Sequence, residues 1–251
     1  MTPGVLEVDG VSKSFGALQV SKNISLSLHR GARHAIIGPN GAGKTTFVHL
    51  VSGLLRPTKG VIRLDGQDVT YKPPEQRVAH GLVRTFQISS LFPKLTVAQH
   101  IGLALSARYG FDASPWGELP NRPGIIDEAA ELLDSVGLLK HASTRVASLA
   151  YGLRRLIEVA IALALKPKVL LLDEPAAGLP SGDRAALLEL LLRLPRDMAI
   201  LVIEHDMSLV FRFAERISVL VEGAILLEGL PAEVRTDSRV REVYLGNRTH
   251  A

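Results

Sequence analysis

The chain has 251 residues, 47% of them hydrophobic, with 29 Lys+Arg against 25 Asp+Glu and no cysteine. This length buries a substantial core, and a net charge of +4 without a block of like charges gives no basic stripe of the kind a dedicated nucleic-acid binder carries. Without cysteine there is no disulfide framework, thiolate metal site or cysteine nucleophile. Glu7 and Asp9 stand where a signal peptide needs basic and then apolar residues. The apolar runs Val159–Leu165 and Met198–Ile203 fall well short of the ~20 residues of a membrane-spanning helix. These features predict a soluble, cytoplasmic protein.

Val5–Val8, Val11–Phe15 and Ile24–Leu28 alternate apolar and polar residues and read as strands. Ala35-Ile-Ile37 then enters a glycine-rich turn and a helical segment over Thr45–Leu54, and Val61–Leu64 before Asp65-Gly66 reads as a strand meeting a tight turn. The middle of the chain switches to helical spacing over Thr96–Ala107 and Asp127–Val136, the latter stopping at Gly137. Gly110–Gly124, rich in Pro and Gly, reads as an exposed loop. A third apolar-faced helix follows Gly152. Beyond it the strands Val169–Leu172, Ala199–Ile203 and Ile217–Val221 alternate with helices over Asp183–Leu194 and Met207–Ala214. Apolar strands alternating with helices predict a buried, largely parallel α/β sheet, with the helical stretch at roughly 88–160 inserted into it.

Two motifs carry chemistry on their own residues. Gly38-Pro39-Asn40-Gly41-Ala42-Gly43-Lys44-Thr45 fits G-x-x-x-x-G-K-[ST] between an apolar strand and a helix. Its glycines let backbone N–H groups turn inward around phosphates, and the helix N-terminus adds its positive pole. Lys44 adds a mobile charge and the Thr45 hydroxyl can ligate Mg²⁺. Val169-Leu-Leu-Leu-Asp173-Glu174-Pro175 is an apolar strand ending in two carboxylates, at the strand end where open α/β sheets place ligands. Asp173 is suited to hold Mg²⁺ and Glu174 to polarise an attacking water as general base.

With these two motifs, four further elements make the chain resemble the ATPase subunit of ATP-binding-cassette (ABC) transporters over nearly its whole length. They are Phe15 ahead of the loop, Gln87 in Arg84-Thr-Phe-Gln87, Leu149-Ala150-Tyr151-Gly152 ahead of a helix, and His205, 31 residues beyond Glu174. The resemblance implies a P-loop NTPase (RecA-like) α/β core over 1–87 and 161–251 with an N-terminal antiparallel β subdomain, and an inserted α-helical subdomain over 88–160. It implies ATP and Mg²⁺ as cofactors. Phe15 is then the adenine-stacking ring, Gly38 through Thr46 (Thr46 included) the phosphate cradle, and Leu149, Ala150, Tyr151 and Gly152 the signature that binds ATP held by a second subunit. Glu174, His205 and Gln87 form the catalytic set, and Thr45, Gln87 and Asp173 the metal ligands.

The chain departs from the family pattern LSGGQ at Ala150 and Leu153, and Pro180 replaces the aspartate that usually closes the loop after Glu174-Pro175. These departures bear on coupling across a dimer and leave Lys44, Asp173, Glu174 and His205 untouched. The segments 84–97, 149–152, 173–179 and Val243-Tyr-Leu-Gly246 resemble the branch that energises bacterial uptake of branched-chain and other hydrophobic amino acids, with relatives taking amides or urea. The implied partners are a second ATPase subunit arranged head to tail, integral membrane permease subunits and, indirectly, a periplasmic or extracellular solute-binding protein, with no nucleic acid. The implied location is peripheral, on the cytoplasmic face of the inner membrane. The rival readings are a degenerate cassette with a structural or regulatory role, and a non-transport cassette acting on DNA or ribosomes. A GTPase is disfavoured because no Asn-Lys-x-Asp motif occurs.

Overall fold

The computed structural model describes residues 4–85, 91–110 and 123–245. In chain order the first elements are β1 (Leu6–Phe15), β2 (Leu18–Leu28), β3 (Arg33–Ile37), α1 (Lys44–Ser52), β4 (Lys59–Leu64), β5 (Gln67–Asp68), α2 (Pro74–Ala79) and β6 (Leu82–Arg84). Then come α3 (Val97–Tyr109), α4 (Pro123–Ser135), α5 (Tyr151–Ala164), β7 (Val169–Asp173) and α6 (Ser181–Arg193). The chain finishes with β8 (Ala199–Ile203), α7 (Met207–Phe213), β9 (Arg216–Val221), β10 (Ala224–Gly229), α8 (Pro231–Thr236) and α9 (Ser238–Leu245). Two compact units divide these elements: Met1–Arg84 with Lys168–Pro175 and Leu194–Ala251, and Thr85–Pro167 with Ala176–Arg193.

The first unit holds both sheets. An antiparallel sheet runs in the order β2-β1-β4-β5, with Leu6 opposite Leu28 on one side and Leu64 on the other. The two short strands expected at Val5–Val8 and Val11–Phe15 are one strand, β1. Its pairing to β2 shifts between Val8 and Val11, where Gly10 takes φ 59° and lets the strand bend without breaking. The second sheet runs β10-β9-β3-β8-β7-β6, parallel except for the antiparallel edge pair β10–β9. Every residue of β3, β7 and β8 is buried, as the continuous apolar runs of the latter two demand.

β3 nevertheless starts with Arg33 and His34, and both are satisfied. Arg33 donates to the carbonyls of Gly31, Leu194, Pro195 and Met198. His34 Nε2 lies 2.8 Å from Ser218 Oγ, which donates to Glu228 Oε2 at 3.0 Å. Helix α1 packs Phe47, Val48, Leu50 and Val51 into the core between the sheets. Its C-terminal carbonyls at Leu50 and Val51 are bonded by the fully buried Arg77 of α2, which also donates to the carbonyls of Thr70 and Lys72. A buried guanidinium is tolerated because its donors are spent on carbonyls that a helix end leaves open.

The second unit is helical. α3 opens on a reciprocal cap, Thr96 Oγ1 accepting from Gln99 N while Gln99 Oε1 accepts from Thr96 N. Ile101 and Leu105 of α3, Ala129 and Leu133 of α4, and Ile157 and Ala160 of α5 supply its buried apolar side chains. Glu128 of α4 takes hydrogen bonds from Arg108 and Tyr109 and pairs with Lys166; these donors, Arg108 first, hold its carboxyl down at about 2. The loop expected over Gly110–Gly124 does not extend to its last two residues. Residues 111–122 lie outside the described set, and Pro123 and Gly124 belong to α4.

Candidate functional site

In the six-stranded sheet, β9, β3, β8, β7 and β6 are neighbours and parallel, so their C-terminal ends share one edge. The glycine-rich loop leaves β3, Glu204-His205 leaves β8, Asp173-Glu174 ends β7 and Arg84 ends β6. The register levels them: Ile36 pairs with Ile203, which pairs with Asp173, while Arg84 pairs with Leu171. Two backbone bonds extend this order past the strands, Glu204 N to Ile36 O at 3.3 Å and Glu174 N to Ile203 O at 2.9 Å. Residues far apart in sequence thus meet at the place where parallel α/β sheets bind ligands.

The loop Gly38–Gly43 is built for an anion. Gly38 lies so close to the Leu220 carbonyl that a Cβ would run into it. Gly41 and Gly43 take φ 79° and 99°. Gly223 N donates to Ala42 O and Lys22 N to Gly223 O, which ties the loop to the β9–β10 turn and to β2. α1 starts directly on Gly43, with no side chain capping its first N–H groups and no acidic residue in its first turn. Open donors at a helix start with no competing carboxylate are what a phosphate requires. Lys44 is buried and donates to the carbonyls of Gly38 at 2.8 Å and Pro39 at 3.0 Å. Burial lowers its pKa, and Glu174 and Asp173 pull it back up. Thr45 and Asn40 are exposed, Thr46 is half-buried, and Ala42 is buried.

Asp173 is 2% exposed and pairs with Arg84, Nη2 to Oδ2 at 2.9 Å. Burial pushes its carboxyl up, Arg84 draws it back down, and neighbouring Glu174 pushes it up again. Glu174 stands at φ 48°, in the left-handed region that costs a non-glycine residue about 1 kcal/mol or more. The turn aims its carboxylate at His205, with Oε1 4.0 Å from Nδ1. His205 is 62% exposed. Its own N–H and that of Asp206 donate to Glu204 Oε2, and Glu204 is fully buried beneath the loop. The oxygen donors of Thr45 and Asp173 suit a hard divalent cation, and Asp173 Oδ1 takes no hydrogen bond among the described residues.

Phe15 is 48% exposed at the end of the β1–β2 hairpin, with Lys13 Nζ 5.1 Å from its ring centre. The hairpin reaches the phosphate loop through Val20, which is the nearest neighbour to Gly43. Gln87 lies outside the described residues. Leu149–Gly152 belong to the second unit. Ala150 caps α5 with no side-chain hydrogen bond, Arg154 Nε donates to Leu149 O at 2.9 Å, and a Cβ on Gly152 would run into Asp183 of α6. Tyr151 is exposed and packs against Gly178, with its hydroxyl 3.5 Å from Ala177 O.

Three residues at the site escape motif reading. Arg84 sits in a quoted motif, but its pairing with a residue 89 positions on is invisible without the β6–β7 register. Glu204 reads as a polar strand end, and only its burial shows it bracing the His205 loop. Tyr244 of α9, in the quoted Val243–Gly246 segment, is half-buried with its hydroxyl near the Gly38 backbone, a placement no motif shows; burial pushes that hydroxyl up to about 12.

A strand–glycine loop–helix carrying Lys44 and Thr45, beside a strand end where buried Asp173 precedes Glu174, defines a P-loop nucleotide-binding protein. A family model described as ABC transporter matches residues 21–177, and one described as branched-chain amino acid ATP-binding cassette transporter matches residues 224–250. The chain belongs to the ATP-binding cassette family of ABC transporters. The high-affinity branched-chain amino acid transport ATP-binding protein LivG of Salmonella typhimurium is 39% identical over 254 residues, covering 98% of this chain and 99% of LivG. Among solved structures, the ADP conformation of MJ1267, an ATP-binding cassette of an ABC transporter, superposes with a TM-score of 0.87 at 27% identity, covering 98% of this chain and 100% of MJ1267. The dimeric post-hydrolysis state of the cassette MJ0796 bound to ADP and phosphate superposes with a TM-score of 0.75 at 26% identity, over 90% of this chain and 98% of that one. Among the described residues no helix is long and apolar enough to cross a membrane.

Proposed function

We propose that the chain is the ATP-hydrolysing subunit of a bacterial importer for branched-chain or other hydrophobic amino acids, acting through separate membrane subunits. The observation that carries this reading is the convergence of the Gly38–Lys44 loop, Asp173-Glu174 and His205 on the ends of three adjacent parallel strands. The branch rests on the family model over 224–250 and on the relative LivG.

The backbone N–H groups of Gly41–Thr45 and the start of α1 hold the β- and γ-phosphates of ATP, and the exposed Phe15 ring takes the adenine. Lys44 exchanges its two loop carbonyls for phosphate oxygens. Thr45, Asp173 and Gln87 are the residues to hold Mg²⁺, which when bound offsets charge on the phosphates. Glu174 takes the proton from the attacking water, and His205, within 4.0 Å of it, holds the water and a γ-phosphate oxygen in line. Leu149–Gly152 of one subunit closes the site of a second copy, or of a sister subunit, head to tail, with the open N–H groups of α5 facing the γ-phosphate. Closure passes to membrane subunits, and a solute-binding protein delivers the cargo to them. The subunit works at the cytoplasmic membrane face.

The test is steady-state ATPase activity of the chain assembled with its membrane subunits, beside Glu174→Gln and Lys44→Ala. Turnover in wild type, lost by about 10²-fold or more in Glu174→Gln with nucleotide still bound, supports the reading. ATP bound without turnover in wild type overturns it in favour of a cassette that only holds a complex together, the role to which Ala150, Leu153 and Pro180 would point.

A further inference from the structure

The arginines of the first unit whose side chains are largely covered fall into two kinds. Arg33 and Arg77 each spread their donors over four backbone carbonyls, and they hold chain segments together. Arg84 makes a single side-chain bond, to Asp173 Oδ2 at 2.9 Å, and its buried Nε has no partner among the described residues. Its side chain is only 9% exposed and that of Asp173 2%. An unspent buried N–H is unfavourable, so attraction to one carboxylate is what keeps the guanidinium there. The β6–β7 register makes this possible: Arg84 pairs with Leu171, and Asp173, two residues on, projects from the same face.

The charges around the pair give it a purpose. Asp173 is flanked by Glu174, and Lys44 is turned away onto the carbonyls of Gly38 and Pro39. His49 of α1 feels both charges: burial and the Arg84 charge lower its pKa, and Asp173 pulls it back up. A carboxylate buried this deeply needs a positive partner. Arg84 supplies one while no divalent cation is present.

We propose that Arg84 is a positioning residue, the resident counter-cation of Asp173, and that a divalent cation must displace it before Asp173 can serve the bound nucleotide. Metal entry is then an exchange of one cation for another. The exchange is inexpensive on the arginine side, because one hydrogen bond holds it among the described residues and its Nε is free to find water on leaving. The assignment rests on the nucleotide-binding reading above, in which Asp173 is a metal ligand.

The test is a MgCl₂ titration of the binding of a fluorescent N-methylanthraniloyl ATP to wild type, Arg84→Met and Arg84→Lys, each starting in EDTA. Without the competing guanidinium, Arg84→Met should need about tenfold less Mg²⁺ for half-maximal enhancement of binding, whereas Arg84→Lys, which keeps the charge, stays within about threefold of wild type. Thermal melts with MgCl₂ and no nucleotide give a second reading: the metal stabilises Arg84→Met more than wild type. If Arg84→Met does not fold, Arg84→Gln carries the same expectation. An unchanged Mg²⁺ midpoint would make the pair purely structural, and a raised midpoint would make Arg84 a helper of metal binding; either overturns the proposal. Absence of nucleotide binding to wild type at every Mg²⁺ concentration would instead count against the nucleotide reading itself.

Discussion

Replacing Gly43 by alanine tests the phosphate loop as built. At φ 99° a side chain is strained, which costs about 1–2 kcal/mol. The new Cβ would also sit 2.9 Å from the Val20 carbonyl, with Gly223 Cα at 3.6 Å behind it, so relief requires moving backbone of β2 or of the β9–β10 turn. Overpacking of that kind adds about 1–3 kcal/mol, for a total of roughly 2–5 kcal/mol and a fall in Tm of about 5–15 °C. Gly41 supplies the control. It stands at φ 79° with nothing within 4 Å of its Cβ position, so Gly41→Ala carries the strain alone, about 1–2 kcal/mol. Because α1 begins on Gly43, a shift there also misplaces the N–H groups that face phosphate, and nucleotide affinity should fall at least tenfold further than in Gly41→Ala, by about that order for a displacement near 1 Å. Urea denaturation and equilibrium binding of fluorescent ATP read the two effects. Equal stability losses in the two variants would refute the claim that packing against Val20 shapes the loop.

Phe15→Ala should weaken ATP binding by about tenfold or more through lost stacking, with Phe15→Trp retaining it. The ring is 48% exposed, so Tm should barely move; a fall in Tm without loss of affinity would place Phe15 in the core instead. His34 gives a pH dependence. Burial lowers its pKa from 6.5 to about 4, so the unfolded chain binds a proton that the folded chain refuses between those values. The stability from neutral His34 is therefore complete above pH 6.5 and is lost as pH falls toward 4, by roughly 3 kcal/mol. His34→Gln should flatten the acid limb of the stability profile by that amount, measured by urea denaturation at intervals between these pH values. An unchanged acid limb would contradict it.

The elements that were legible in the sequence are those whose signal is local. Val169–Asp173 and Ala199–Ile203 are apolar runs of strand length, and both are fully buried central strands. The glycine spacing at 38–43 shows because each glycine answers a backbone need that no other residue meets. β6 escaped because a strand of three residues, two of them buried and the last Arg84, has no period to read. Its meaning depends on Asp173, 89 residues away. β10 escaped for another reason: Ala224-Ile-Leu-Leu-Glu-Gly lies half-buried at an edge, and its apolar run fits a strand and a helix equally well. The left-handed turn at Glu174 is hidden too, since glutamate is a poor choice for φ 48° and the bond from its N–H to Ile203 O, made across the β7–β8 pairing, helps to hold it there.

Size-exclusion chromatography of Glu174→Gln with Mg·ATP, beside wild type and Lys44→Ala, tests the central claim most directly. Glutamine keeps the shape of the side chain and cannot take the proton from water, so closure without hydrolysis should leave an ATP-dependent dimer in Glu174→Gln alone. A Glu174→Gln protein that binds ATP and stays monomeric, alone and with its sister cassette, would contradict the account.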